Sequence, residues 1–143
     1  YKFGGSHQHT PEIEENLSKL SGADVKISFT PILAPIPRGI LATVTAKLSS
    51  PLTTEEVHSA YEKYFANSSF VHVLPIGTMP QTSATLGTNK VLIKVAVDSH
   101  TTRLVSSIAI DNLGKGAAGQ AIQNANLMAG FAENLGLSQA GVK

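Results

Sequence analysis

Cysteine is missing from this chain of 143 residues. Its absence excludes disulfides, thiolate metal sites and a cysteine nucleophile among these residues. A disulfide-free domain also fits the cytoplasm, where thiols stay reduced. Charge is scarce too: 15% of residues are charged, and 11 basic against 10 acidic side chains leave a formal net charge of +1. So even a balance offers no electrostatic footprint for nucleic acid or an anionic membrane, and neither is expected as a partner. No apolar run approaches the roughly 20 residues that span a bilayer. The opening residues also lack the basic-then-apolar order of a secretory leader. Internal repeats and low-complexity segments are absent as well. What is present is a 42% hydrophobic composition, enough for the core of one domain. Tyr1-Lys2-Phe3 reads as the end of a strand before Gly4-Gly5, so a longer parent protein is expected.

Along the chain, hydrophobic periodicity alternates between helical and extended. Thr10 reads as an N-cap with Pro11 at the first helical position, followed by Ile13, Leu17 and Leu20 on one face. Val25, Ile27 and Phe29 alternate with Lys26, Ser28 and Thr30, which predicts a half-buried strand. Pro31 to Arg38 is an extended connector with three prolines. Ile40, Ala42, Val44, Ala46 and Leu48 share one face of a longer strand. Thr53 and Glu56 form a capping box, with Leu52 and Val57 as its hydrophobic staple. Val57, Ala60, Tyr61 and Tyr64 are the expected buried face of that helix.

Phe70 to Leu74 reads as a short strand, and Pro75 to Thr88 as a loop. Two further strands carry Val91, Ile93, Val95, Val97 and Leu104, Ser106, Ile108, Ile110, joined by a hairpin turn over 98–101. A last helix is expected over 115–135, thin at Gly116, Ala117, Ala118 and Gly119 and bulky at Leu127, Met128, Phe131 and Leu135. Helices grouped between hairpin strands predict an α+β fold, a mixed and mostly antiparallel sheet with helices covering one face.

Three constellations carry candidate chemistry. His7-Gln8-His9-Thr10-Pro11-Glu12 sets two imidazoles and a carboxylate ahead of a helix N-terminus. The positive end of a helix attracts anions and lowers a nearby imidazole's pKa. Three readings stay open there: a metal site with Glu12 as third ligand, ordinary capping histidines, or a general acid/base titrating near neutral pH. Asp111-Asn112-Leu113-Gly114-Lys115-Gly116 joins a strand to the thin helix, where backbone N–H groups cradle an anion or the glycines simply allow close packing. Arg38 stands at the mouth of a strand, either as a bidentate anion contact or as a solvated charge. His58, His72 and His100 read as helix-surface, strand and turn residues without a role.

Taken in order, His7 to Ile13, Ser28-Phe29-Thr30-Pro31, Pro37 to Thr43, and Asp111 through Leu127 resemble the N-acetyl-γ-glutamyl-phosphate reductase family of arginine biosynthesis. The resemblance covers nearly the whole chain. It implies the catalytic, substrate-binding and oligomerisation domain over 1–143, akin to the C-terminal domain of semialdehyde dehydrogenases, with the NADP-binding domain lying outside this chain. It further implies NADPH-dependent reduction of an acyl-phosphate substrate to a semialdehyde, through a cysteine nucleophile that this chain lacks. By the same resemblance His7 is the acid/base, His9, Glu12 and Arg38 are substrate contacts, and Asn112 and Gly116 approach the nicotinamide of NADP. No metal is implied, and the parent is a homo-oligomer, dimer or tetramer. Gly114 departs from the apolar residue usual at its position, which predicts a looser junction there. A standalone module binding a metal or anion at His7, His9 and Glu12 is the alternative.

Overall fold

The computed structural model describes residues 2–137 and 139–141. They form two compact units, Tyr1–Ile36 and Pro37–Lys143.

The first unit is one helix, α1 (His9–Ser21), and the extended segment that follows it. The helix begins one residue ahead of Thr10, with Gln8 at the cap position and no side-chain cap bond. His7 explains the shift: its carbonyl accepts the Thr10 N–H at 3.0 Å and its Nδ1 accepts the His9 N–H at 3.1 Å. Two of the donors that every helix start leaves unpaired are thereby taken. Thr10 Oγ1, displaced from the capping role, is buried without a partner. Gly22 ends α1 in the left-handed region at φ 70°, its N–H donating to Ser18 O at 2.9 Å. None of the helix's residues is buried, and Leu20 is 85% exposed.

The predicted strand of Val25, Ile27 and Phe29 does not form; residues 24–30 are extended but unpaired. Their alternation survives in burial, with these three half-buried and Lys26, Ser28 and Thr30 exposed. Side chains of α1 take the place of a partner strand. Val25 N–H donates to Ser18 Oγ at 2.9 Å and Ile27 N–H to Glu14 Oε1 at 3.1 Å. Of the expected strand end at Tyr1-Lys2-Phe3, Tyr1 lies outside the described residues, and Lys2 and Phe3 are not in a strand.

The second unit holds a four-stranded mixed sheet. Its strands are β1 (Ile40–Lys47), β2 (Val71–Val73), β3 (Val91–Asp98) and β4 (Arg103–Ile110), in the order β1-β4-β3-β2. Both pairings of β4 are antiparallel, and β2 runs parallel to β3. The hairpin between β3 and β4 turns at Asp98, whose carboxylate accepts the N–H groups of His100 and Thr101.

Helix α2 (Thr54–Phe65) starts at the predicted capping box, Thr53 Oγ1 accepting from Glu56 N–H while Glu56 accepts from Thr53 N–H. Val57 anchors it in a core with Ile93 and Val95, against which Tyr61, Phe65, Val71, Leu104 and Ile108 pack. Burying each of the three aliphatic anchors is worth about 1.5–3 kcal/mol. The buried face is rotated from the expected one: Ala60 and Tyr64 are exposed, and His58 and Phe65 turn inward instead. His58 is therefore not a surface residue; its Nε2 bonds Leu74 O at 2.9 Å.

The last helix is shorter than 115–135. Gly114–Ala118 form a π-helical turn, α3 runs over Gly119–Met128, and Gly130 at φ 73° follows its end. Leu127, Met128, Phe131 and Leu135 are all exposed.

Candidate functional site

In the first unit the histidine corner is an aromatic cluster. The His7 and His9 rings meet edge-to-face with centroids 4.7 Å apart, and Phe29 stands 5.2 Å from His7. Because Nδ1 of His7 accepts from the backbone of His9, the neutral ring carries its proton on Nε2. Partial burial, then the neighbouring His9 and Lys2, hold the His7 pKa below the usual imidazole value. The ring is thus biased toward the neutral form at neutral pH, with its Nε2–H able to donate and its one acceptor nitrogen, Nδ1, held by the His9 N–H. The cap bond at Nδ1 and the free N–H donor at Nε2 reside in the same ring.

His9 is the first residue of α1 and is exposed. Glu12 lies in the first turn, also exposed, and its carboxylate makes no hydrogen bond among the described residues. The structure brings His7 and His9 into contact and shows no hydrogen bond or ion pair between either and Glu12 among the described residues. Among the described residues no three His, Asp or Glu converge on a point that could hold a metal ion, so the metal-module alternative is not supported.

The second unit carries a denser polar cluster at the end of β4. Asp111 is completely buried. Arg38 clasps it with both arms, Nε to Oδ1 at 2.9 Å and Nη2 to Oδ2 at 2.6 Å. Gly87 N–H donates to Oδ2 at 2.5 Å and Leu113 N–H to Oδ1 at 2.9 Å. Burial pushes this carboxyl's pKa up, but Arg38 and the N–H groups of Leu113, Gly87 and Gly114 outweigh it and hold the group well below the usual carboxylate range. One side chain thus ties together the proline-rich connector, the loop before β3 and the π-turn.

Sequence reasoning put Arg38 forward and passed over Asp111. The available signal was a lone acid directly after the apolar run of β4 and an arginine two residues before the start of β1. The bidentate edge of Arg38 is committed to Asp111, which leaves Nη1 for any other anion. Asn112 accepts the Gly39 N–H on Oδ1 at 2.7 Å and keeps its Nδ2 donors free. Gly116 N–H donates to Asp111 O at 2.8 Å, and an added Cβ would come 3.3 Å from that same oxygen. Gly116 therefore serves close packing of the π-turn on the end of β4.

Gly114 does not loosen the junction. A Cβ there would stand 2.5 Å from Thr88 O, so the glycine is what allows the turn to sit against the loop. Gly119 plays the same part beside Asn89, whose Oδ1 would be 2.3 Å from an added Cβ. A cavity of about 160 Å³ remains between Arg38, Thr88, Asn89, Leu113, Gly114 and Gly119. Behind it Lys115 Nζ donates to Gln123 Oε1 at 2.7 Å and lies 5.6 Å over the Phe70 ring. Burial lowers the Lys115 pKa, against the pull of Glu133.

Comparison with known proteins adds to this geometry. A family model described as the dimerisation domain of semialdehyde dehydrogenases matches residues 1–112. N-acetyl-gamma-glutamyl-phosphate reductase of Acidothermus cellulolyticus is 54% identical over 142 residues, and that of Corynebacterium glutamicum is 50% identical. Each match covers 99% of this chain but only 41% of the relative's length. Among solved structures, aspartate semialdehyde dehydrogenase II from Vibrio cholerae superposes with a TM-score of 0.69 over 85% of this chain and 36% of its own. At 22% identity that likeness concerns the fold. No helix among the described residues is long and apolar enough to cross a membrane.

Proposed function

Because the chain belongs to the semialdehyde dehydrogenase dimerisation-domain family, we propose that it is the catalytic and substrate-binding part of an N-acetyl-γ-glutamyl-phosphate reductase. The reaction is reduction of an acyl phosphate to an aldehyde with release of phosphate, in a soluble, cytoplasmic homo-oligomer. Acyl transfer of this kind needs a strong nucleophile, and the chain holds no cysteine. That thiolate is assigned to a part of the protein outside these 143 residues, as is most of the cofactor site.

The observation that carries the reading is the state of His7 in a chain half identical to reductases of that name. Its ring is biased toward neutrality, its tautomer is set by the His9 N–H, and its Nε2 is left for the reacting groups. In this tautomer the Nε2–H donates to the substrate's carbonyl oxygen; base action requires Nδ1 to release the His9 N–H and take the nucleophile's proton, which the ring then returns to the oxygen of the reduced product. Glu12 and His9, exposed beside it, offer contacts to the substrate's polar groups.

NADP, when bound, supplies the hydride. The residues here fit only the edge of such a cofactor: Asn112 has free Nδ2 donors next to the exposed Gly116 and Ala117. In the full-length protein, His7→Asn is expected to lower turnover by roughly 10²–10⁴-fold, the usual worth of a general acid/base, with little change in KM. An unaltered turnover number removes His7 from the chemistry.

A further inference from the structure

Three rings meet at the start of α1, two of them imidazoles and the third that of Phe29. Phe29 stands edge-on to His7, with centroids 5.2 Å apart and planes at 67°, and its centroid lies 6.5 Å from that of His9. It comes from the extended segment, not from the helix beside the histidines. Register brings it there. Val25 N–H is held by Ser18 Oγ and Ile27 N–H by Glu14 Oε1, so the segment runs back along α1, antiparallel to it. Two extended residues advance about 6.6 Å, and the four helical residues from Ser18 to Glu14 cover about 6 Å in the other direction. The next equal step carries Phe29 level with Thr10, at the end of the helix where both histidines stand.

His7 has few other ties. Among the described residues its side chain makes one hydrogen bond, accepted at Nδ1 from the His9 N–H. That bond occupies the only lone pair of the neutral ring, so a proton can be taken up there only when the bond is given up. The ring contacts that then remain are those with His9 and Phe29. His9 is exposed and belongs to the same first turn whose N–H has just been released. Phe29 is half-buried and sits two residues beyond a backbone bond to α1, so its place does not depend on that release. Edge-to-face pairs are directional, and a flat ring edge restrains the plane of its neighbour in a way an aliphatic chain does not.

We infer that Phe29 is a positioning residue for His7, its ring edge keeping the imidazole aligned while Nδ1 exchanges the His9 N–H for the proton of the nucleophile. The inference rests on the reading of His7 as the acid/base, and adds the residue that holds it. Ser18 and Glu14 enter as the fastenings that set the register of Phe29.

A double-mutant cycle in the full-length protein tests this. Phe29→Leu keeps an apolar side chain and removes the flat edge; it is expected to lower the turnover number by roughly 10- to 100-fold with KM little changed, the scale of a misaligned catalytic group. Phe29→Tyr keeps the edge and should retain most of the turnover. In the His7→Asn background, Phe29→Leu should cost nothing further, because the group it positions is gone. Four results overturn the positioning role while the acid/base reading stands: full turnover in Phe29→Leu, a loss confined to KM, an equal loss in Phe29→Tyr, or the same loss with and without His7. Full turnover in His7→Asn overturns both.

Discussion

The two polar centres of this protein are built in opposite ways. The histidine corner sits on a helix with no buried residue, and His7 is held by one side-chain hydrogen bond and two ring contacts. Asp111 is fully buried and gathers donors from Arg38, Gly87, Leu113 and Gly114. The first arrangement leaves its chemistry accessible and contributes little to stability. The second has no accessible chemistry and fastens three chain segments. The histidine pair stands out in the sequence and Asp111 does not; burial is what separates a group that reacts from one that braces.

The contrast breaks most visibly at Asp111. Asp111→Ala leaves the Arg38 guanidinium and three backbone donors unpaired, so a loss of about 3–5 kcal/mol in the denaturant-unfolding free energy of the second unit is expected. The same residue sets the acid limb. Its folded pKa lies below its unfolded value near 3.9, so the stability it adds is complete above about pH 4 and falls away as the pH drops further. Asp111→Asn should flatten that limb in an unfolding-versus-pH series. An unchanged slope would mean that other carboxyl groups govern it.

Gly114→Ala tests the packing that surrounds Asp111. With Thr88 O in the way, a cost of about 1–3 kcal/mol by thermal unfolding is expected, whereas a looser junction would accept the methyl at no cost. The smallest effect belongs to the first unit. Ser18→Ala removes the acceptor of Val25 N–H and should cost about 0.5–1 kcal/mol, read as faster hydrogen exchange at the Val25 amide with the midpoint of the second unit unmoved. A shift in that midpoint would show that the two units unfold together.

Much of the fold is legible in local signals. The capping box at Thr53 and Glu56, the alternation of β3 and β4, and the hairpin turn at Asp98 each depend on neighbours a few residues away, and each forms as read. The misreadings share a different cause. Val25 to Phe29 has a strand's alternation, but a strand needs a partner, and α1 side chains take the N–H groups instead. Thr10 has the right chemistry for a cap, yet the helix starts one residue earlier, where His7 takes the N–H groups of His9 and Thr10. On α2, the face with Ala60 and Tyr64 and the face with His58 and Phe65 are both apolar enough on paper; the packing of β2 and β3 chooses between them. Of the candidate site, His7 and His9 were visible as a pair, whereas Asp111 became visible only once Arg38, 73 residues away, closed on it.

By itself the sequence determined the α+β class, the antiparallel hairpin and the absence of a thiol, because these depend on composition and on short-range periodicity. Tertiary structure alone decided which nitrogen of His7 is free, that Arg38 is spent on a buried carboxylate, and that Gly114 tightens its junction. The reason is physical. Hydrogen-bond partners and burial are relations between segments distant along the chain, and no local pattern records which of them will meet.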